Sequence, residues 1–281
     1  MSKRKSEAVP PEPEERSEVE HADRGAGRIE KQDAPLFITR GMQVTIPPGA
    51  FVLSVNPDGS LSGSINAIHV GLNLCPRWMA IAFGHILAAD DAHGRLLAAF
   101  QENREEALGL ALESESDSGM QAVFASCAAM DAYYAQLKRH TKIDPETHEQ
   151  WKHNRTARHI RIAEVIRRTV DIKPTGFETA RAILKQGFGL RDKAVHPNAE
   201  LARPMLYDEI RRSTEWRLVS YRFQNAKAVT GQFLNVIAAT SQQPPRKPTA
   251  ELSDLLKSTN ELCKPTLAAW EARYGQLFEH E

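Results

Sequence analysis

The sequence predicts a mainly α fold: an antiparallel bundle of helices carrying a small N-terminal β-meander and a C-terminal helical extension. Apolar residues recur at three- and four-residue spacing through most of the chain after residue 75. Helix-start chemistry, such as Thr175-Gly176-Phe177-Glu178, stands before several of those runs. β-prone runs parted by Pro/Gly turns crowd into residues 36 to 70.

Residues 1–34 are rich in Glu, Lys, Arg, Pro and Ser and poor in large apolar residues. Such a segment cannot bury enough surface to offset its ordering entropy, so it reads as a disordered charged tail. Residues 35–74 follow as the β segment. Phe37-Ile38-Thr39, Val44-Thr45-Ile46 and Phe51 to Val55 are its strands, with Pro47-Pro48-Gly49 and Asn56-Pro57-Asp58-Gly59 as turns and Ser64 to Val70 as a further strand. A meander this small is expected to pack on the helices that follow.

Residues 75–241 form the helical domain. Pro76 opens a first helix reaching about Ala89, and a second follows Asp90-Asp91. Glu113 to Gly119 reads as a polar break, with Ser116 or Asp117 capping the next helix. That helix aligns Val123, Cys127, Met130, Tyr134 and Leu137, and its alanines (Ala122, Ala125, Ala129, Ala132) permit close packing. Asp131 lies beside this stripe. Glu146 to Val170 reads as one long helix. Its outer side is basic, with Arg155, Arg158, Arg161, Arg167 and Arg168, and is a candidate for tracking phosphates. A capped helix then leads through Gly187 and Gly189 into Leu190-Arg191-Asp192-Lys193-Ala194-Val195-His196-Pro197. A closing helix from about Ser213 to Thr240 carries Trp216, Tyr221 and Asn225. Residues 242–281 are a Pro-rich linker and a helical extension split by Pro265.

Composition narrows the chemistry. Lys+Arg and Asp+Glu balance at 36 each in 281 residues, which argues against a generally basic nucleic-acid binder while leaving local patches open. The three cysteines are widely separated, without the spacing of a zinc site or disulfide framework, so no metal or cofactor is expected and a reducing cytoplasm is. No run reaches the roughly 20 apolar residues of a membrane span, so no membrane partner is expected. Serine-hydrolase elbow, zincin, kinase and dinucleotide glycine motifs are all absent.

The stretch at residue 191 joins an arginine, an acid and a histidine within six positions. On a helix Asp192 and His196 share a face, whereas Arg191 and His196 point roughly 140° apart. Both therefore meet only across a cleft or with help from a second subunit. Arg191-Asp192-x3-His196 resembles the R-x4-6-H signature of the HEPN superfamily. The order of small-residue helix, basic helix, capped helix and aromatic closing helix is similar over roughly residues 115–240. Arg16-x4-His21 and, in the loose form, Arg273-x6-His280 also match the bare pattern, without the context around residue 191.

The resemblance implies an all-helical homodimer and, in many members, a metal-independent endoribonuclease. His196 would move protons as the RNA 2′-hydroxyl attacks the adjacent phosphate. Arg191 would hold the developing charge, with Asp192 beside it. It also implies Asp131, Tyr221 and Asn225 at the cleft, RNA contacts from Arg155, Arg158, Arg161 and Arg168, and a toxin or defence role with an antitoxin partner. Alternatively, a non-catalytic helical module binds RNA, nucleotide or a protein through the same surface, with Arg191, Asp192 and His196 as a structural network.

Overall fold

The computed structural model describes residues 37–65, 67–195 and 203–277. The charged-tail expectation for residues 1–34 and the position of His196 lie outside them. The chain divides into two compact units, Met1–Leu72 and Asn73–Glu281.

The first unit holds four short strands: β1 (Met42–Thr45), β2 (Phe51–Val55), β3 (Leu61–Ile65) and β4 (His69–Leu72). β2 and β3 form an antiparallel hairpin with Phe51 opposite Ile65 and Val55 opposite Leu61. Its turn is closed by Asp58, whose carboxylate accepts the Ser60 amide, and by Gly59 at φ 81°. β1 pairs with β4, Met42 opposite Leu72. The pairing is nested, so the expected meander is corrected. Pro47 and Pro48 remove two ladder donors and Gly49 turns the chain at φ 80°, which keeps β1 from pairing with β2. Among its described residues only Ala50 is buried, so the strands enclose no core of their own.

The second unit is helical. Helix α1 (Leu74–Gln101) is capped by Asn73, whose side chain accepts the Cys75 amide. It does not stop at Ala89. Asp90 instead serves as an anchor, accepting from Arg273 at 2.8 Å and the Tyr274 hydroxyl at 3.0 Å. A short turn with Asn103 at φ 55° leads to α2 (Glu105–Lys138), which crosses the expected break at 113–119 intact. Glu115, Ser116 and Gly119 are buried there, so the polar run is a contact surface and neither Ser116 nor Asp117 caps a helix.

The expected 146–170 helix is two, α3 (Pro145–His153) and α4 (Arg158–Thr169), broken at Arg155 with φ 46°. Asp144 caps α3 by accepting the Thr147 amide at 2.7 Å, which holds its carboxyl down to about 2. Helix α5 (Pro174–Val195) begins one residue before Thr175, with the Phe177 amide already bonded to the Lys173 carbonyl, so the T-x-x-E box goes unused.

Between α5 and the closing helices stands a hairpin that the sequence reading did not assign. It comprises β5 (Met205–Tyr207), a 3-10 turn (Asp208–Ile210) and β6 (Arg212–Thr214), turning at Arg211 with φ 50°. The closing helix is likewise two: α6 (Trp216–Ser220) and α7 (Phe223–Gln242). The extension is one helix, α8 (Ala250–Tyr274), passing through Pro265. Pro265 and Glu261 are exposed, so water can take the Glu261 carbonyl that the proline leaves unbonded.

Helix α2 is central, packing against α1, α4, α5 and α7. Met130, Tyr133, Leu137, Ile162, Ile166, Phe188 and Phe233 lie in the main core. A smaller core gathers Leu96, Leu108, Tyr207, Ile210 and Val219 under the hairpin. No helix among the described residues is long and apolar enough to cross a membrane.

Candidate functional site

The stripe that buries Val123, Cys127, Met130 and Tyr134 leaves Asp131 at the edge of α2, about one-third exposed. Two arginines reach it from other helices. Arg158, the first residue of α4, donates from Nε at 2.6 Å, and Arg191 of α5 lies 3.5 Å away. Arg191 also donates to Asp192 at 2.8 and 3.1 Å. Each guanidinium rests on a ring, Arg158 over Tyr134 at 4.2 Å and Arg191 over Phe188 at 4.6 Å. Two arginines and two aspartates thus meet at a half-exposed point where α2, α4 and α5 converge.

Beneath them lies the Cys127 thiol. Burial pushes it up to about 12, against the pull of Arg191, so it stays protonated and unreactive. His159 of α4 is held below its ordinary value by burial and by Lys185 and Arg181 of α5, with Asp192 opposing. It therefore stays neutral more readily than an exposed histidine, and the sequence reading did not single it out.

The remaining expected residues divide. Tyr221 is buried, and its hydroxyl, pushed up to about 12 by burial, donates to the Leu190 carbonyl at 2.6 Å. It pins the final turns of α5 and does not line a surface. Asn225 donates its amide to the Val219 and Ser220 carbonyls, closing the end of α6. Arg155 stands exposed in the α3–α4 turn. Arg161 is half-buried, its Nε without a hydrogen-bond partner among the described residues.

The basic face expected on 146–170 is largely paired with acids. Arg158 is taken by Asp131. Arg167 and Arg168 both bond Glu164, whose carboxyl they hold low, and Arg168 also reaches Asp144 at 3.3 Å. Acids from other helices and from one turn away complete pairs that composition along one helix does not reveal.

A second polar cluster lies under the hairpin. Glu115 is fully buried and accepts from the Phe223 amide at 2.7 Å and from the Tyr207 hydroxyl at 3.0 Å. His93 Nδ1 is 3.2 Å from Glu115, and its Nε2 is 3.2 Å from Glu209. Arg222 lends no side-chain cap to α7, so the carboxylate of α2 does that work from across the interface. Enclosed in this way, the cluster serves as a structural knot.

Among the described residues no three His, Cys, Asp or Glu side chains gather as they would around a metal ion. Compared with family models, curated proteins and solved structures, the chain matches none.

Proposed function

We propose that the chain is a metal-independent endoribonuclease of HEPN type, with Arg191 and His196 as its reacting pair. The observation that supports this reading is the meeting of Asp131 and Arg191, 60 residues apart in sequence, at a half-exposed point on the helix that carries Arg191. Arg191 is held by carboxylates at its edge and by the Phe188 ring beneath. A phosphate that displaces the 3.5 Å contact to Asp131 meets a guanidinium already oriented.

In this reading His196 accepts the 2′-hydroxyl proton. The 2′-oxygen bonds to phosphorus as the bond from phosphorus to the 5′-oxygen breaks, and the 5′-oxygen takes up the proton that His196 accepted. The products are a 2′,3′-cyclic phosphate and a 5′-hydroxyl. A homodimer in which two copies complete the cleft belongs to the same proposal. A cytoplasmic toxin or defence role with a protein antitoxin belongs to the same proposal.

A second reading is supported by the charge balance: Arg158 and Arg191 are matched by Asp131 and Asp192, as in a structural network of a non-catalytic module.

The deciding experiment incubates a mixed RNA pool in EDTA with wild type, Arg191→Ala and His196→Ala, and records all three melting curves. The nuclease reading expects cleavage by wild type, ends carrying cyclic phosphate, and a loss of at least about a hundredfold in either variant at matched stability. Absent cleavage together with a lowered melting temperature for Arg191→Ala would assign the cluster to packing.

A further inference from the structure

On the side of α5 away from Arg191 lies a shallow cavity of about 560 Å³. The second half of α5 forms one wall with Lys185, Gln186, Gly189, Leu190 and Lys193, and Ser220 and Asn225 at the α6–α7 corner form the other. The α5 positions are spaced at three and four residues, so they share one helical face. That face is held in register by the Tyr221 hydroxyl on the Leu190 carbonyl.

Charge sets this cavity apart. Among the described residues its lining includes two lysines and no carboxylate. Neither Lys185 nor Lys193 forms an ion pair among the described residues, and Lys193 lies 5.8 Å from the Trp216 ring. On α4, by contrast, Arg158, Arg167 and Arg168 are each closed by an acid. In a chain with 36 cations and 36 anions, two unmatched ammonium groups facing one groove form a local positive field. The Asn225 amide nitrogen is occupied by the Val219 and Ser220 carbonyls, which leaves its Oδ1 as an unused acceptor.

We infer that this groove holds the phosphodiester backbone of single-stranded RNA adjoining the bond to be cut. The inference rests on the nuclease reading for the word "cut", and on the groove alone for RNA binding. Lys185 and Lys193 stand about 12 Å apart along the helix axis, with Arg191 between them in the rise of α5. A strand laid along the groove therefore brings phosphates to Lys185 and Lys193, while Arg191 lies on the opposite side of α5, so the bond to be cut lies farther along the strand, past the last turn of the helix. Flexible ammonium groups suit this work as point charges that do not select sequence. Ser220, Gln186 and Asn225 supply donors and an acceptor for ribose hydroxyls or base edges, which a single strand exposes. An acidic peptide would use the lysines equally, so the test includes one as competitor.

The test measures binding of a fluorescent, uncleavable 2′-O-methyl oligonucleotide by anisotropy in EDTA across a salt series. Wild type is compared with the double variant Lys185→Gln/Lys193→Gln. A charge-matched control, Lys247→Gln/Lys257→Gln, alters two exposed lysines elsewhere. Loss of two phosphate contacts should flatten the plot of log K against log salt by about 1.4 and weaken low-salt binding roughly tenfold, with the control unchanged. An unchanged slope in the groove variant, or equal loss in the control, overturns the inference. Equal displacement of the oligonucleotide by poly-glutamate also overturns it and makes the groove a protein-docking surface. RNA binding that depends on the lysines, with no cleavage of ordinary RNA, upholds the groove and overturns the nuclease reading. Neither binding nor cleavage by wild type overturns both.

Discussion

Glu115 has no exposed surface, yet it sits in Glu113-Ser-Glu-Ser-Asp-Ser-Gly119, a run that reads as a solvated break. Its partners, Tyr207, His93 and Phe223, come from parts of the chain that no spacing rule connects to it. Burial raises its carboxyl above the ordinary 4.5, against the pull of the Phe223 amide, His93 and Tyr207. A group that holds its proton more tightly folded than unfolded adds stability that is complete below the unfolded value and lost as pH rises through the folded one. Glu115→Gln keeps the shape and removes the titration. The stability of wild type relative to Glu115→Gln should therefore fall as pH rises from about pH 4 toward about pH 7 in urea unfolding. A relative stability of wild type that rises with pH would show the hydrogen bonds outweighing burial. Asp131 and Arg191 were legible because one flanks an apolar stripe and the other belongs to a motif. Lys185 and Lys193 were legible in principle, since eight residues apart on a helix is one face, but their lack of partners appears only in three dimensions.

Among elements, periodicity found the helices and punctuation misplaced their ends. Asp90-Asp91, the 113–119 run and Pro265 all resemble stops, and α1, α2 and α8 pass through each of them. Tertiary partners supply the reason: Arg273 and Tyr274 for Asp90, and Tyr207 with the α7 amide for Glu115. Two glycines of α5 show the same division. A Cβ on Gly187 would stand 2.3 Å from the Phe233 ring, so the glycine lets α7 approach. A Cβ on Gly189 meets nothing within 4 Å. Gly187→Ala should cost about 1–3 kcal/mol through overpacking. Gly189→Ala should stabilise by about 0.5–1 kcal/mol through helix propensity. Thermal melts of the two variants check this pair, and a fall of similar size in both would mean that α5 is distorted near residue 189.

At the scale of the molecule, the mainly α class was legible because apolar stripes at helical spacing run through most of residues 75–277. The nested strand pairing and the hairpin at 205–214 were not, because short strands are defined by what they pair with. Both core clusters draw only on residues from Cys75 onward, and so does every member of the Asp131–Arg158–Arg191–Asp192 cluster. The first unit contributes four strands and one buried alanine among its described residues. A fragment of residues 73–281 should therefore fold on its own. Its melting temperature should lie within about 3 °C of the full chain, the shift that roughly 1 kcal/mol produces in a domain of this size. Differential scanning calorimetry of the two proteins decides it. A drop well beyond that shift, or loss of a cooperative transition, would mean that residues before 73 supply stabilisation that the helical cores do not contain. If wild type cleaves RNA, the same fragment separates the roles further. Cleavage retained by residues 73–281 locates the chemistry in the helical unit. Cleavage lost at unchanged stability would make the strands part of substrate capture.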